Sequence, residues 1–314
     1  MRHGSGTEKR GRGEKGKAMR EREDQIFEIS GSTKLICLLG SPVSHSLSPR
    51  IHNSAFRELG LDYVYLAFDV KTEDLAFVLD ALRRMGVRGL NLTMPLKRSV
   101  LPLCDTLSEA AEISESVNTI VFSEDGRIEG HSTDGSGFFR GLESEGISYR
   151  GKKLVLLGAG GAGTAILVQA ALSGVRELSL FVRRGSRDLP RIRRILASLR
   201  KRSSCIFSLL EYGEALYREI SDCDILVNAS SVGMAPDKER SLIEDSSFFP
   251  EGLTVADVIY SPRKTKLLRL AEERGLRTVN GLPMLLFQGA EAFRLWCGRE
   301  IPMENIRRNI LNYL

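Results

Sequence analysis

The sequence lacks the features that would place it in a membrane or outside the cell. No apolar stretch approaches the roughly 18 to 20 residues that a membrane-spanning helix needs. The first residues, MRHGSGTEKRGRGEKGKAMRERED, are charged and contain no apolar signal-peptide core. Cysteines are few, odd in number and without metal-ligand spacing, which predicts a reducing cytoplasm and no metal site. They are Cys37, Cys104, Cys205, Cys223 and Cys297.

The composition is that of a globular protein with two domains. A chain of 314 residues is long for one domain, and 42% hydrophobic residues are enough for real cores. The net charge is +5, and much of the excess lies in the first 22 residues. We predict that residues 1–32 form a disordered basic tail, solvated rather than bound to nucleic acid. The sequence shows no internal repeat and no low-complexity linker.

Strand and helix patterns alternate from residue 34 onward. Such alternation predicts a mostly parallel, twisted sheet with helices on both faces. Within it, TIVFSEDGRIEG is typical of a hairpin that turns at Asp125 and Gly126. A second alternating series begins at KKLVLLGAGGAG, and two helices without a following strand end the chain. We expect those helices to pack back on the first sheet.

The segment LVLLGAGGAG places a glycine-rich turn between a buried strand and a helix. Glycines at this spacing permit a tight turn and let backbone N–H groups approach a pyrophosphate at the helix N-terminus. We therefore predict an α/β protein in which residues 134–280 form a Rossmann-like dinucleotide-binding domain, and residues 33–133 with 281–314 form the substrate-binding domain. The predicted cofactor loop consists of Gly158, Ala159, Gly160, Gly161, Ala162 and Gly163.

The residues at the end of the strand that follows the glycine motif indicate whether the cofactor is NAD or NADP. A site for NAD usually carries Asp or Glu about 20 residues after the glycine motif. Here the sequence reads LFVRRGSRD, with Arg183, Arg184 and Arg187 in that region. Guanidinium groups suit a 2′-phosphate, which favours NADP over NAD. The alternative is a solvated charge run.

The segment HSLSP clusters two serines just after the first strand. One interpretation is capping, with Ser48 as the N-cap and Pro49 as the first helical residue. Capping requires only one serine, and Ser46 is left over. The second interpretation is an anion site at the helix N-terminus.

Three further polar segments lie at the ends of predicted strands in the first half of the chain, with Asn118 just before a strand and Asp134 at the domain junction. The segment GLNLTMPLK contributes Thr93 and Lys97, SVNT contributes Asn118, and GHSTDGSG contributes Asp134. A lysine and an aspartate beside a nicotinamide can handle the proton while a hydride moves at a carbinol carbon. Taken singly, each residue also has a structural explanation: a cap for Asp134, a solvated side chain for Lys97 and a turn for Asn118.

Taken together, the motifs resemble those of the shikimate dehydrogenase family, which includes quinate/shikimate dehydrogenases. The resemblance covers residues 34–314, and the motifs occur in the family's order. They are GSPVSHSLSP, NLTMPLK, SVNT, STDGSG, GAGGAG, NASSVGM, DVIYSP and GLPMLLFQGAEAF.

The resemblance implies a role for each matching residue. Lys97 would be the proton donor and acceptor, with Asp134 beside it. Ser46 and Ser48 would bind the substrate carboxylate, and Tyr260 would reach the substrate. The ring hydroxyls would be held by Thr93, Asn118, Asp134 and Gln288. Cofactor contacts would come from Glu109, Val258 and Gly281, the last two lining the nicotinamide pocket.

Two departures from the family pattern concern the cofactor and the site, and a third position bears on the choice of cofactor. Ser132 stands where the family's NTDG motif has Asn, and Val182 stands where its NRT motif has Asn. Gly185 stands where NAD-using members often carry Asp, which agrees with NADP.

The implied reaction is the reversible NADPH-dependent reduction of 3-dehydroshikimate to shikimate. The alternatives are a quinate-active dehydrogenase with relaxed NAD/NADP use, and a ligand-sensing regulator that has lost catalysis. The absence of a helix-turn-helix motif and the presence of both Lys97 and Asp134 disfavour the regulator. We expect a cytoplasmic enzyme with a small-molecule substrate and without nucleic-acid or membrane partners; monomer and homodimer remain open.

Overall fold

The computed structural model describes residues 29–313. The predicted basic tail therefore lies outside the described residues as far as residue 28. At its end, the Ser32 hydroxyl donates a hydrogen bond to Asp62 Oδ2 at 2.8 Å, and Thr33 Oγ1 donates to Asp62 Oδ1 at 2.6 Å.

Within this range, the first sheet has six strands in the order β2-β1-β3-β5-β6-β4. The pairs β1–β2, β1–β3 and β4–β6 are parallel, whereas β3–β5 and β5–β6 are antiparallel. The antiparallel β5–β6 hairpin is the predicted one, and Gly126 in its turn has a φ of 81°. The strands are β1 (Lys34–Gly40), β2 (Tyr63–Asp69), β3 (Gly89–Leu92), β4 (Thr106–Leu107), β5 (Thr119–Phe122) and β6 (Ile128–His131).

The second sheet of the described chain also has six strands, in the order β12-β11-β10-β7-β8-β9, and every pair is parallel. This is the doubly wound Rossmann order, with the switch point between β7 and β10. Its centre is fully buried: Leu156 of β7 lies between Val227 of β10 and Leu180 of β8. The strands are β7 (Lys153–Leu157), β8 (Glu177–Val182), β9 (Ile206–Glu211), β10 (Ile225–Asn228), β11 (Thr254–Asp257) and β12 (Arg277–Val279).

Helices alternate with the strands of both sheets, so the predicted α/β class is confirmed. In the described range none of them is both long and apolar enough to cross a membrane. The helices are α1 (Ser48–Leu59), α2 (Leu75–Arg84), α3 (Leu96–Ser99), α4 (Glu109–Ser114), α5 (Asp134–Ser144), α6 (Gly161–Leu172), α7 (Leu189–Leu199), α8 (Glu214–Ile220), α9 (Lys266–Glu273), α10 (Leu282–Cys297) and α11 (Met303–Leu311). Two 3₁₀ turns, Thr72–Asp74 and Leu101–Leu103, complete the helical elements of that range.

The last two helices share a core with the first sheet. Phe293 and Trp296 of α10 and Ile306 of α11 are buried in one cluster with Ile36 of β1. The Trp296 indole N–H donates to the Ile120 carbonyl at 2.9 Å, which anchors α10 on the sheet.

Helix α5 packs unusually closely between α10 and α6. A Cβ at Gly137 would lie 2.5 Å from the backbone nitrogen of Gln288, and one at Gly135 would lie 2.3 Å from the Ala165 carbonyl oxygen. Only glycine permits both approaches. The first residue of α5, Asp134, is thereby held where α10 and α6 meet.

Candidate active site

The closest charged contact of the site joins Lys97 and Asp134. Lys97 lies on α3, just after β3, and Asp134 begins α5, just after β6. Nζ of Lys97 is 2.5 Å from Oδ2 of Asp134, and the two side chains are 19% and 9% exposed. A short, largely buried ion pair at strand ends is the arrangement expected of a proton-handling site.

Asn118, directly before β5, fixes the other oxygen of the carboxylate. Its amide nitrogen donates to Asp134 Oδ1 at 2.9 Å and to Thr133 Oγ1 at 3.0 Å, and it is 3.4 Å from Gln288 Oε1. Its amide oxygen accepts the backbone N–H of Thr133 at 2.7 Å. The structure thus brings together four residues singled out from the sequence: Lys97, Asn118, Asp134 and Gln288.

A buried polar chain that sequence analysis missed extends from Asn118. Asn91 of β3 donates to Thr119 Oγ1 at 3.0 Å and to the Asn118 carbonyl at 3.0 Å. The Tyr65 hydroxyl donates to Asn91 Oδ1 at 2.7 Å. Burial raises the pKa of Tyr65 well above its usual value, with a smaller opposing effect from Ser48. In the sequence, the only indication of this hydrogen-bonded network was the polar Asn91 within the buried strand GLNL.

The serines lie at the start of α1, and the structure corrects the capping assignment. Leu47, not Ser48, occupies the N-cap position, and no side chain caps the helix. Ser48 is the first helical residue, and its backbone N–H donates to Ser46 Oγ at 3.2 Å. A serine side chain does satisfy a free N–H here, but it is that of Ser46.

Thr93 follows β3 and lies beside the end of β1, the strand that precedes this helix. Its backbone N–H donates to the Leu39 carbonyl at 2.9 Å, and its methyl group packs against Gly40. Ser46 and Thr93 are partly exposed, whereas Ser48 is buried. The carboxyl ends of β1 and β3 therefore present hydroxyl groups at the edge that also carries Lys97.

The glycine loop has the geometry of a phosphate cradle. Gly158 has a φ of 104°, which side chains rarely tolerate, and a Cβ at Gly163 would lie 2.1 Å from the Gly158 carbonyl oxygen. Gly160 precedes α6, and no side chain caps that helix. The N–H groups of its first turn are therefore free for an anion. The residues fit a dinucleotide pyrophosphate.

The loop also faces the Lys97–Asp134 pair. A Cβ placed on Gly161 would lie 3.6 Å from Cδ of Lys97. Ala159 and Ala162 are partly exposed on the same loop. The lysine and the predicted cofactor loop, which are far apart in sequence, are neighbours in space.

Three arginines follow β8, at the same edge of the second sheet. Arg183, Arg184 and Arg187 are all exposed. Arg184 Nε lies 3.3 Å from Glu211 Oε2, so part of its charge is already balanced. Gly185 between them has a φ of 67°, which turns the chain sharply after the strand.

Val258 and Gly281 meet where the second sheet leads into α10. A Cβ at Gly281 would lie 2.0 Å from the Val258 carbonyl oxygen, and the Gly281 N–H donates to the Ile259 carbonyl at 2.9 Å. Tyr260 packs against the core of the first sheet, and burial raises its pKa.

A second buried network, also missed, joins the ends of β10 and β11. Asn228 donates to both carboxylate oxygens of Asp257 at 3.1 Å. Asp257 also accepts the Ile259 N–H at 3.0 Å and the Thr265 hydroxyl at 2.8 Å. Burial raises the pKa of Asp257 to about 6, against the lowering effect of these donors. The motifs NASSVGM and DVIYSP contained both residues, but neither is a charge pattern that stands out alone.

Glu109 does not lie with Lys97, Asp134 and the residues around them. It begins α4, and its Oε1 pairs with Arg202 Nη1 at 3.2 Å on an exposed face. A cofactor contact from Glu109 stays a prediction. Among residues 29–313, no cluster of His, Cys, Asp and Glu has the arrangement of a metal site.

Two family models match the chain. The shikimate dehydrogenase substrate-binding domain matches residues 38–120, and the shikimate 5′-dehydrogenase C-terminal domain matches residues 281–311. A shikimate dehydrogenase (NADP⁺) from Alkaliphilus metalliredigens is 43% identical over 288 residues, covering 91% of this chain and 99% of the relative.

Solved structures give the same result. Shikimate 5-dehydrogenase from Listeria monocytogenes, in complex with shikimate and NAD, has a TM-score of 0.86 at 42% identity, covering 90% of this chain and 98% of that one. Quinate dehydrogenase from Corynebacterium glutamicum, in complex with NAD, has a TM-score of 0.80 at 32% identity, covering 89% and 99%. These likenesses run along nearly the whole length of each protein and agree with the motifs and the site geometry. The chain therefore belongs to the shikimate dehydrogenase family.

Proposed function

We propose that this protein is a shikimate dehydrogenase that reversibly reduces 3-dehydroshikimate to shikimate with NADPH. One observation carries the proposal: the largely buried Lys97–Asp134 pair lies directly against the glycine loop. A dehydrogenase needs a proton-transferring group within reach of both substrate and cofactor. The name of the NADP⁺-dependent relative supports the cofactor and the reaction.

In this proposal Lys97 transfers the proton. When bound, the reduced nicotinamide supplies the hydride to the C3 carbonyl carbon. Lys97 Nζ gives a proton to the carbonyl oxygen, which becomes the hydroxyl of shikimate; in the reverse direction it removes that proton. Asp134 holds the ammonium group in place, and Asn118 orients the carboxylate by donating to its second oxygen.

Substrate orientation would come from the hydroxyl and amide groups around this pair. Ser46 and Ser48 at the start of α1 bind the substrate carboxylate. Thr93, Asn118, Asp134 and Gln288 hold ring hydroxyls, and Tyr260 reaches the substrate. All of these residues except Tyr260, which follows β11 of the second sheet, lie at strand ends of the first sheet or on α10, and this common location supports their roles.

The cofactor would lie along the carboxyl edge of the second sheet. The loop from Gly158 to Gly163 binds the pyrophosphate, and Val258 and Gly281 line the nicotinamide pocket. Arg183 and Arg187 bind the 2′-phosphate, with Arg184 contributing less because Glu211 pairs with it.

We further propose the domain division expected from the sequence: residues 33–133 with 281–314 bind substrate, and residues 134–280 bind cofactor. The shared core of α10, α11 and the first sheet supports it. All five cysteines are free, which supports a cytoplasmic location. We propose that its partners are small molecules, without nucleic acid.

A quinate-active dehydrogenase with relaxed NAD/NADP use is the second candidate. It is favoured by Val182, by Ser132 and by the likeness to the quinate dehydrogenase. Initial rates with shikimate and quinate, each with NADP⁺ and NAD⁺, separate the two, followed by absorbance of the reduced nicotinamide. The main proposal predicts the highest kcat/KM for shikimate with NADP⁺, and no turnover in any combination would contradict both.

A further inference from the structure

Arg191 is a buried arginine behind the glycine loop. It lies in the first turn of α7 and is only 5% exposed. One terminal nitrogen, Nη2, donates to the Ala159 carbonyl and to Thr164 Oγ1, both at 3.1 Å. The other, Nη1, donates to the Ser114 carbonyl at 3.1 Å. The guanidinium therefore joins the cofactor loop to the end of α4.

The contacts of Arg191 fall on the carbonyl side of the loop. The Ala159 carbonyl accepts from Arg191 directly, and Thr164 Oγ1 donates in turn to the Gly160 carbonyl at 2.8 Å. The Ala159 carbonyl is thus held by Arg191 of α7 and by Thr164 Oγ1, which also donates to it at 3.2 Å, whereas the Gly160 carbonyl accepts the Thr164 N–H within α6. The N–H groups of the first turn of α6, which no side chain caps, remain available for a phosphate.

The charge of Arg191 is only partly compensated. Its Nε lies 3.5 Å from Asp188 Oδ1, but that carboxylate is 40% exposed and also pairs with Arg98 at 3.1 Å. Burial and the neighbouring Arg98 lower the pKa of Arg191, against the opposing effects of Asp188 and Glu115. An arginine nevertheless stays charged in proteins. A buried cation beneath a helix N-terminus strengthens the attraction of that terminus for an anion.

We propose that Arg191 is a positioning residue for the dinucleotide: it holds the Ala159 carbonyl of the glycine loop toward α7, adds positive charge behind the pyrophosphate, and ties the loop to the end of α4. This role rests on the proposed function. Arg191 would act on the pyrophosphate, which NADP and NAD share. Arg183 and Arg187 would act on the 2′-phosphate, which only NADP carries.

The test measures Kd for NADP⁺ and NAD⁺ by calorimetry on the wild type, Arg191→Met, Arg191→Lys and Arg193→Met. Arg191→Met should raise both Kd values at least about tenfold, equivalent to about 1.4 kcal/mol. Arg191→Lys keeps the charge but not the forked contacts, so it should fall between. Arg193→Met removes one charge from the exposed side of the same helix and should leave both Kd values unchanged.

The outcomes are distinct. A wild type that binds neither cofactor overturns the proposed function and the inference with it. If the wild type binds and Arg191→Met lowers only the thermal midpoint, with both Kd values unchanged well below it, the arginine is structural and the inference is wrong. Weakening of NADP⁺ alone would also overturn it. Should Arg191→Met fail to fold, Arg191→Lys decides: unchanged Kd values contradict the proposal.

Discussion

Replacing Lys97 by alanine removes the group that we assign to proton transfer. The fold should survive, because Lys97 is partly exposed on the short helix α3 and its backbone bonds are unaffected. A positioned general acid–base group contributes typically about 10²- to 10⁴-fold to the rate. We expect kcat to fall within that range, which corresponds to roughly 3 to 5.5 kcal/mol of activation free energy.

The same change should lower stability only moderately. Lys97→Ala leaves the Asp134 carboxylate 9% exposed without its cation. Breaking a fully buried ion pair costs about 3 to 5 kcal/mol, but here Asn118 still donates to Oδ1 at 2.9 Å. We therefore expect a loss nearer the roughly 1.5 to 3 kcal/mol of one charge-assisted hydrogen bond. The double variant Lys97→Ala/Asp134→Asn should recover part of it, because no unpaired charge remains.

The assay compares kcat for shikimate oxidation with the Kd for shikimate, which should stay measurable in Lys97→Ala. The control is Arg98→Ala, the next residue on α3, whose exposed guanidinium pairs with Asp188. It should keep most of the activity. A kcat near that of the wild type in Lys97→Ala would remove Lys97 from the mechanism. An equal fall in Arg98→Ala would show that the conformation of α3, and not the amine, matters.

Three further changes test other parts of the site. Arg183→Ala/Arg187→Ala should raise the KM for NADP⁺ far more than that for NAD⁺, and equal effects would contradict a 2′-phosphate site. Ser46→Ala should lower kcat/KM for shikimate by about 10- to 150-fold, the equivalent of one hydrogen bond to a charged group, without changing NADP⁺ affinity. An unchanged kcat/KM with reduced thermal stability would leave Ser46 only its bond to the Ser48 N–H. Asp257 has a pKa of about 6, against an ordinary value of 3.8, so the folded state binds the proton more tightly. The free energy of unfolding should therefore fall, by up to about 3 kcal/mol, as the pH rises from about 4 to 6. Denaturation at several pH values should show a flatter profile for Asp257→Asn, and an unchanged slope would refute this origin.

Local patterns were sufficient for the elements and the cofactor loop. The run LVLLGAGGAG predicts a strand, a tight turn and a helix because each depends on neighbouring residues alone: buried aliphatic side chains, then glycines that permit a φ of 104° at Gly158. The Asp125–Gly126 turn was predictable for the same reason. The motif order was likewise enough to indicate the family, which the comparisons confirm.

Ser48 shows where local reasoning failed. The sequence SLSP allows either serine to bond a free N–H, and the choice depends on where the helix begins. In the structure α1 begins one residue earlier than predicted, so Ser46 provides the oxygen. The sequence does not distinguish a bond from Ser46 from a bond from Ser48, because both are acceptable in a local helix start.

Which polar groups touch depends on how the helices and strands pack together. Lys97, Asp134 and Gln288 are far apart in sequence, and their meeting depends on α5 approaching α10 closely enough that Gly137 has no room for a side chain. The same holds for Arg191, which sequence alone shows as one cation of a basic helix, and for Asp257, whose raised pKa comes from burial. Periodicity specifies which residues form a helix or a strand, but distances between side chains follow from how those elements pack.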